Sequence, residues 1–309
     1  MPLYLREADV EALLDPADAV EAVDACFERI ARGAVDARPR LRLSLEPGLV
    51  HVMAAADREL GVACVKTYAT GGGGRHPVVT LHDGRSGELV AVVEAEWLGR
   101  LRTGAASAVA ARHLARPAAR TLGVIGAGRQ AETQVACLRA ALPGIEEVVA
   151  FARRRAQLEE FCQRVGATPA DYNRGAAEQD VVVTVTTSRD PVLRGEWLRP
   201  GALVCAVGAN RIEARELDNA ALERAAFVCC DWKEQARIEA GDLAEPVARG
   251  VLDWLEVHEL AEVVSGEVRG RAADSDVVVF KSVGIAAEDL AVAKLAVERA
   301  RERGLGTEL

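Results

Sequence analysis

The sequence predicts an α/β fold: a doubly wound parallel sheet joined to a discontinuous α+β domain built from both ends of the chain. Three observations predict it. After Arg102, short Val-rich runs alternate with amphipathic segments, the pattern of parallel strands covered by helices on both faces. Before Arg102, apolar residues recur at period two between turn signals, the pattern of a mostly antiparallel sheet. Between them, Gly126-x-Gly128-x-x-Ala131 follows directly on an apolar strand and opens a helix. A length of 309 residues fits about two domains.

The elements follow in order. Asp15 caps a first helix, Pro16 suits its first turn and Gly33 ends it, while Ala19, Val20, Val23, Cys26, Phe27 and Ile30 share its buried face. Leu41, Leu43 and Leu45 then alternate with Arg40, Arg42 and Ser44, predicting a half-buried strand. Val50–Ala55 and Gly61–Tyr68 read as strands, and Val78–His82 and Leu89–Glu94 as a hairpin around DGRSG. Gly104–Arg116 is an Ala-rich helix stopped by Pro117. Parallel strands are expected at Thr121–Ile125, Glu147–Phe151, Asp180–Thr186, Ala202–Val207, Phe227–Asp231 and Asp276–Lys281. Helices are expected at Gln130–Leu142, Arg155–Val165 and around Leu217–Ala225. A last helix, Ala286–Arg303, is returned to the first domain. The expected domains are therefore 1–117 with 285–309, and 118–284.

Composition excludes several function classes. Thirty-eight basic against 47 acidic residues give a net charge of −9, which opposes nucleic acid or an anionic membrane as the main partner. The longest apolar runs are far too short to span a bilayer, and the acidic N-terminus lacks a signal-peptide core. The seven cysteines form no CxxC and lie mostly in apolar runs, so a reduced, cytoplasmic protein is expected. His51, His82, His113 and His258 show no metal-ligand spacing, so no metal is expected. Ser188 sits in no nucleophile elbow.

The segment TLGVIGAGRQAETQ carries the strongest local chemistry. Gly126 permits a tight turn, Gly128 lets the backbone approach a pyrophosphate, and Ala131 lets helix and strand pack closely. The helix N-terminus offers free N–H groups and a positive dipole end to the phosphates. At the end of the second strand an acidic residue would accept hydrogen bonds from an NAD ribose, but this chain has Phe151-Ala152-Arg153-Arg154-Arg155. Guanidinium groups suit a 2′-phosphate, so NADP(H) is favoured and NAD(H) possible. The alternative is that these arginines only begin the next helix.

Three cations stand out in this acidic chain. Arg40 lies on an otherwise apolar strand, Lys66 ends the run GVACVK, and Arg102 opens RTGAASA. Each could be a snorkelling surface residue. Together they suit a carboxylate-bearing substrate held for hydride transfer. Arg38 and Arg42 are rivals to Arg40. The GGGGRH run from Gly71 to His76 is either a surface link or a lid, with Arg75 and His76 as site neighbours.

Arg40 after Pro39, Met53-Ala54, Lys66, RTGAASA, GAGRQA, VGAN with ELD, and FKSVGIAAEDLAVAK together resemble the ornithine cyclodeaminase/mu-crystallin family, in order and over nearly the whole chain. The resemblance implies a substrate-binding and dimerisation domain completed by the C-terminal helix, a central Rossmann domain and a homodimer. It implies that Arg40, Lys66 and Arg102 hold the substrate carboxylate and serve as the catalytic set. It implies that Gly126, Ala127, Gly128, Arg129 and Gln130 hold the pyrophosphate, and that Thr103, Thr186, Val207, Gly208 and Asn210 also contact the cofactor. Members include cyclodeaminases, alanine dehydrogenases and reductases of cyclic or acyclic imines.

The chain departs from the cyclodeaminase branch at two places. An Asp that engages the substrate amine there is Asn210 here, and a glutamate ahead of the Met53-Ala54 segment is replaced by Val50-His51-Val52. Asn takes no proton at neutral pH, so deprotonation of a distal ammonium loses its base. Asp57, Asp83 or His76 could substitute. The leading expectation is an NAD(P)H-dependent reductase of a small imino acid, or the reverse oxidation. The rivals are a cyclodeaminase with recycled NAD and a non-catalytic nucleotide-binding protein.

Overall fold

The computed structural model describes residues 1–71 and 76–309. Its backbone contacts divide the chain into two units, Met1–Arg102 with Gly284–Leu309, and Thr103–Val283. The sequence places the first boundary after Pro117; the contacts place it at Thr103. The reason is local: Gly104 sits where a Cβ would meet the Thr133 carbonyl oxygen at 2.5 Å, and the Ser107 carbonyl accepts from the Cys205 thiol at 3.9 Å. The helix Glu96–Leu114 thus begins in one unit and ends packed within the other.

The first unit is a seven-stranded sheet. From edge to edge it runs Thr307–Glu308, Leu3–Leu5, Leu89–Glu94, Val78–Asp83, Val62–Thr70, Gly48–Asp57 and Val35–Leu45. Neighbours are antiparallel except Leu3–Leu5 beside Leu89–Glu94. The short outer strands and the helix Glu7–Leu13 carry too few residues to show a period and escape the sequence reading. The helix Pro16–Ala31 begins as expected, with the Asp15 side chain accepting from the Asp18 N–H at 3.0 Å. It packs against the helix Ala286–Arg303, which also covers strands Gly48–Asp57 and Val62–Thr70.

The pairing of the strand Val35–Leu45 shifts register between Arg38 and Leu41, and past that irregularity the leucine–arginine alternation runs with its sense reversed. Arg40 is 7% exposed, whereas Leu41, Leu43 and Leu45 are 54%, 49% and 62% exposed. Alternation fixes which residues share a face but not which face is inward. Here the arginine faces the interior, and an edge strand leaves its leucines in solvent.

The second unit is an eight-stranded, all-parallel sheet in the order Val257–Glu259, Ala225–Cys230, Val277–Lys281, Leu203–Ala206, Val181–Thr184, Thr121–Ile125, Glu147–Phe151, Thr168–Pro169. Strand order turns back at Thr121–Ile125, between Val181–Thr184 and Glu147–Phe151, the switch point at which doubly wound sheets bind nucleotides. Its central strands are buried on both faces, which explains their unbroken Val runs. All seven cysteines are buried and none is in a disulfide. Among the described residues no helix is long and apolar enough to cross a membrane.

Candidate active site

In the first unit the three expected cations come together, but not alone. Arg40 Nε lies 3.3 Å from Met53 Sδ, and its Nη2 donates to the Gly284 carbonyl at 3.1 Å. Lys66 Nζ donates to Asp289 Oδ1 at 2.6 Å. Arg102 Nε donates to the same Oδ1 at 3.1 Å, and its Nη1 to Glu288 Oε2 at 2.8 Å. Lys66 is 4% and Arg102 7% exposed, and both carboxylates are fully buried. Two glycines clear the space. A Cβ at Gly284, whose φ is +75°, would lie 2.3 Å from Arg102 Nη1, and one at Gly99 would lie 3.0 Å from Lys66 Nζ.

Glu288 and Asp289 were quoted in AAEDLAVA but given no role from sequence. The signal was there: two adjacent carboxylates on the otherwise apolar first turn of a buried helix need cationic partners. Burial opposes the charge of Asp289, and Arg102 and Lys66 outweigh it, holding the carboxyl below its ordinary value. Burial likewise opposes the Arg102 charge, and Asp289 and Glu288 more than offset it. For Lys66 burial prevails, aided by Arg102 and Arg40 against Asp289, and the ammonium is a stronger acid than a free lysine. Of these five side chains three are cationic and two anionic, an excess of one positive charge in a dry setting. Such an excess favours one further anion. Arg102 Nη2, which makes no hydrogen bond among the described residues, is a donor left for it.

The other carboxylates considered lie elsewhere. Asp57 pairs with Arg29 at 2.6 Å, and Asp83 accepts the Arg85 and Ser86 N–H groups in the hairpin turn. His76 is exposed, and Arg75 lies outside the described residues. His51 stacks on Tyr68 with centroids 4.3 Å apart. Arg38 pairs with Asp36 on the exposed face.

In the second unit the glycine turn has the geometry a dinucleotide needs. Gly126 has φ +123°, and a Cβ there would meet the Val185 carbonyl oxygen at 2.6 Å. Gly128 is the N-cap of the helix Arg129–Ala141, and nothing lies within 4 Å of where its Cβ would be. That open cradle at the N-terminus of the helix fits a pyrophosphate. The Ala127 carbonyl accepts from Gln157 Nε2 at 2.8 Å, Arg129 is exposed and Gln130 half-buried. Arg153 and Arg154 are exposed just past the second strand, and neither side chain makes a hydrogen bond or ion pair among the described residues. Thr103 is buried, and its carbonyl accepts from Gln134 Nε2 at 3.1 Å.

Thr186, Val207, Gly208 and Asn210 follow the C-terminal ends of strands Val181–Thr184 and Leu203–Ala206. A buried carboxylate that sequence reasoning passed over braces Thr186 and Gly208. Glu216 Oε1 accepts from the Thr186 N–H at 2.6 Å and hydroxyl at 2.8 Å; its Oε2 accepts from the Gly208 N–H at 2.7 Å and the Thr184 hydroxyl at 2.9 Å. Thr186 thus donates both its N–H and its hydroxyl to Glu216. Lys281 Nζ pairs with Asp242 Oδ2 at 2.9 Å and donates to the Ala209 carbonyl at 2.6 Å, while Asp242 Oδ1 accepts the Glu216 N–H. Lys281 ends the apolar run VVVFK as Lys66 ends GVACVK, and the same pattern could have found it.

The chain is similar to known proteins over most of its length. The Δ1-pyrroline-2-carboxylate reductase of Bacillus cereus is 39% identical over 237 residues, covering 74% of this chain and 72% of that protein. The alanine dehydrogenase of Archaeoglobus fulgidus is 33% identical, covering 99% of this chain and 98% of that one. The structure of the Thermococcus litoralis Δ1-pyrroline-2-carboxylate reductase in complex with NADH and L-proline is 32% identical, with a TM-score of 0.92, covering 99% of this chain and 100% of that one. Residues 2–304 match the ornithine cyclodeaminase/mu-crystallin family, and with the paired-ion cluster and the glycine turn in place, the chain belongs to that family.

Proposed function

We propose that this protein is a nicotinamide-dependent oxidoreductase that reduces a small imino acid to an amino acid, or runs the reverse oxidation. The observation that carries the reading is the buried Arg40, Lys66 and Arg102 cluster with its excess positive charge, in a chain that also has the glycine turn. The reductases and dehydrogenase to which it is similar support it. Asn210 in place of an aspartate gives a cyclodeaminase no base, and retention of all three cations argues against lost catalysis.

A reduced nicotinamide, when bound, supplies a hydride to the imine carbon. Arg40 and Arg102 hold the substrate carboxylate through charge-assisted hydrogen bonds, and Lys66 gives a proton to the substrate nitrogen. Gly126, Ala127, Gly128, Arg129 and Gln130 take the pyrophosphate; Thr103, Thr186, Val207, Gly208 and Asn210 serve the cofactor as well. The split unit binds substrate and dimerises, and the other binds the dinucleotide. NADP(H) is the preferred cofactor, because Arg153 and Arg154 stand unengaged where a carboxylate would meet an NAD ribose. A homodimer covers the exposed Leu41, Leu43 and Leu45. Seven buried thiols without a disulfide fit the reducing cytoplasm.

The test is nicotinamide absorbance over time. Purified protein is mixed with NADPH, or separately NADH, and a panel of cyclic five- and six-membered ketimine carboxylates and of 2-oxo acids with ammonia or methylamine. Stoichiometric oxidation of the cofactor with one of them is expected. Ammonia release from ornithine or lysine without net redox change would overturn the reading in favour of a cyclodeaminase.

A further inference from the structure

We propose that Asp289 is the positioning residue for Lys66, holding its ammonium in place and charged as donor of the proton that imine reduction consumes. The proposal rests on the reductase reading above. Asp289 is the one carboxylate in hydrogen-bond contact with Lys66 among the described residues, and a single oxygen, Oδ1, takes both Lys66 Nζ at 2.6 Å and Arg102 Nε at 3.1 Å. Glu288 serves Arg102 instead. The charged and titratable groups that face Lys66 are thus Asp289 and, against it, Arg102 and Arg40, with the Cys64 thiol nearby. Burial and two guanidinium groups work to strip the proton, and one carboxylate retains it.

Asp289 is unsuited to be the proton donor itself. Arg102 and Lys66 keep it ionised despite its burial, and its Oδ2 is buried without a hydrogen-bond partner. For stability alone, an apolar group in place of a buried ion pair is often no worse. What the carboxylate adds is a hold on the proton of a lysine that is more acidic than a free one, which suits a general acid. In the step, a Lys66 Nζ–H bond breaks and an N–H bond to substrate nitrogen forms. The π pair of the C=N bond goes to nitrogen as the hydride reaches carbon. Lys66, left neutral, recovers a proton from water, so one imine, one hydride and one proton become one amine.

The chain has only four lysines, Lys66, Lys233, Lys281 and Lys294, so the Nζ resonances of 15N-lysine-labelled protein can be followed individually through a pH titration, with Lys66→Met assigning the signal. In Asp289→Asn the Lys66 titration is expected to fall by about 1–3 pH units. The alkaline limb of kcat/KM for imine reduction falls with it, while Lys281, paired with Asp242, does not move. Asp289→Glu, which keeps the charge but displaces it, retains the Lys66 titration and lowers kcat with unchanged NADH affinity. An unmoved Lys66 resonance in Asp289→Asn, a loss of rate equal at every pH, or a wild-type kcat in Asp289→Glu would overturn the proposal. A wild-type protein that reduces no imine overturns the reductase reading instead, and the Lys66 titration still reports whether Asp289 holds the lysine's charge. If Asp289→Asn does not fold, the kcat of Asp289→Glu decides.

Discussion

At the residue scale, the site is a balance of charges rather than a set of cations. Read from the sequence, Arg102 has one task, to hold a substrate carboxylate. In the structure it also neutralises Glu288 and Asp289, both fully buried. Arg102→Ala is therefore expected to do two things. It raises KM or lowers turnover for the imine, since a charged hydrogen bond to substrate is worth about 1.5–3 kcal/mol. It also lowers folding stability by ~3–5 kcal/mol, because two buried carboxylates lose the guanidinium they share. Steady-state kinetics and denaturant unfolding check the two separately. Unchanged stability would mean that water replaces the guanidinium.

At the element scale, the strand Val35–Leu45 shows how far a pattern can be read. Its alternation of leucine and arginine is visible in the sequence and survives in the structure. Its sense is not visible, because a period of two is the same from either face. The sheet seats Arg40 inside, where it reaches Met53 and Gly284, and leaves three leucines on an edge strand in solvent. Such an edge invites a second copy of the chain. Leu41→Lys with Leu43→Lys is expected to shift the protein from dimer to monomer in light scattering after size exclusion, with the cofactor affinity of the other unit retained. A monomeric wild-type protein would remove the leucines from any self-association.

At the scale of the whole molecule, one unit gathers the buried charges and the other carries the glycine turn at a sheet switch point. Cofactor choice belongs to the second. Arg153→Ala with Arg154→Ala is expected to lower the NADPH-to-NADH affinity ratio on the order of tenfold or more, as loss of charge-assisted contacts to a 2′-phosphate would. Fluorescence titration of both cofactors measures it. An unchanged ratio would make these arginines solvated helix residues.

The sequence by itself determined the parallel sheet, the glycine turn, the C-terminal helix and the identity of the three cations. Each is written in local terms: unbroken valine runs, a Gly-x-Gly between strand and helix, a 3.6-residue period, a basic residue at the end of an apolar run. Tertiary structure decided what those residues meet. Lys66 and Asp289 are 223 positions apart and Arg40 and Gly284 are 244, and no local pattern couples either pair. Glu216 was hidden likewise, since a buried charge is recognised by its partner, and only the folded chain brings the partners together.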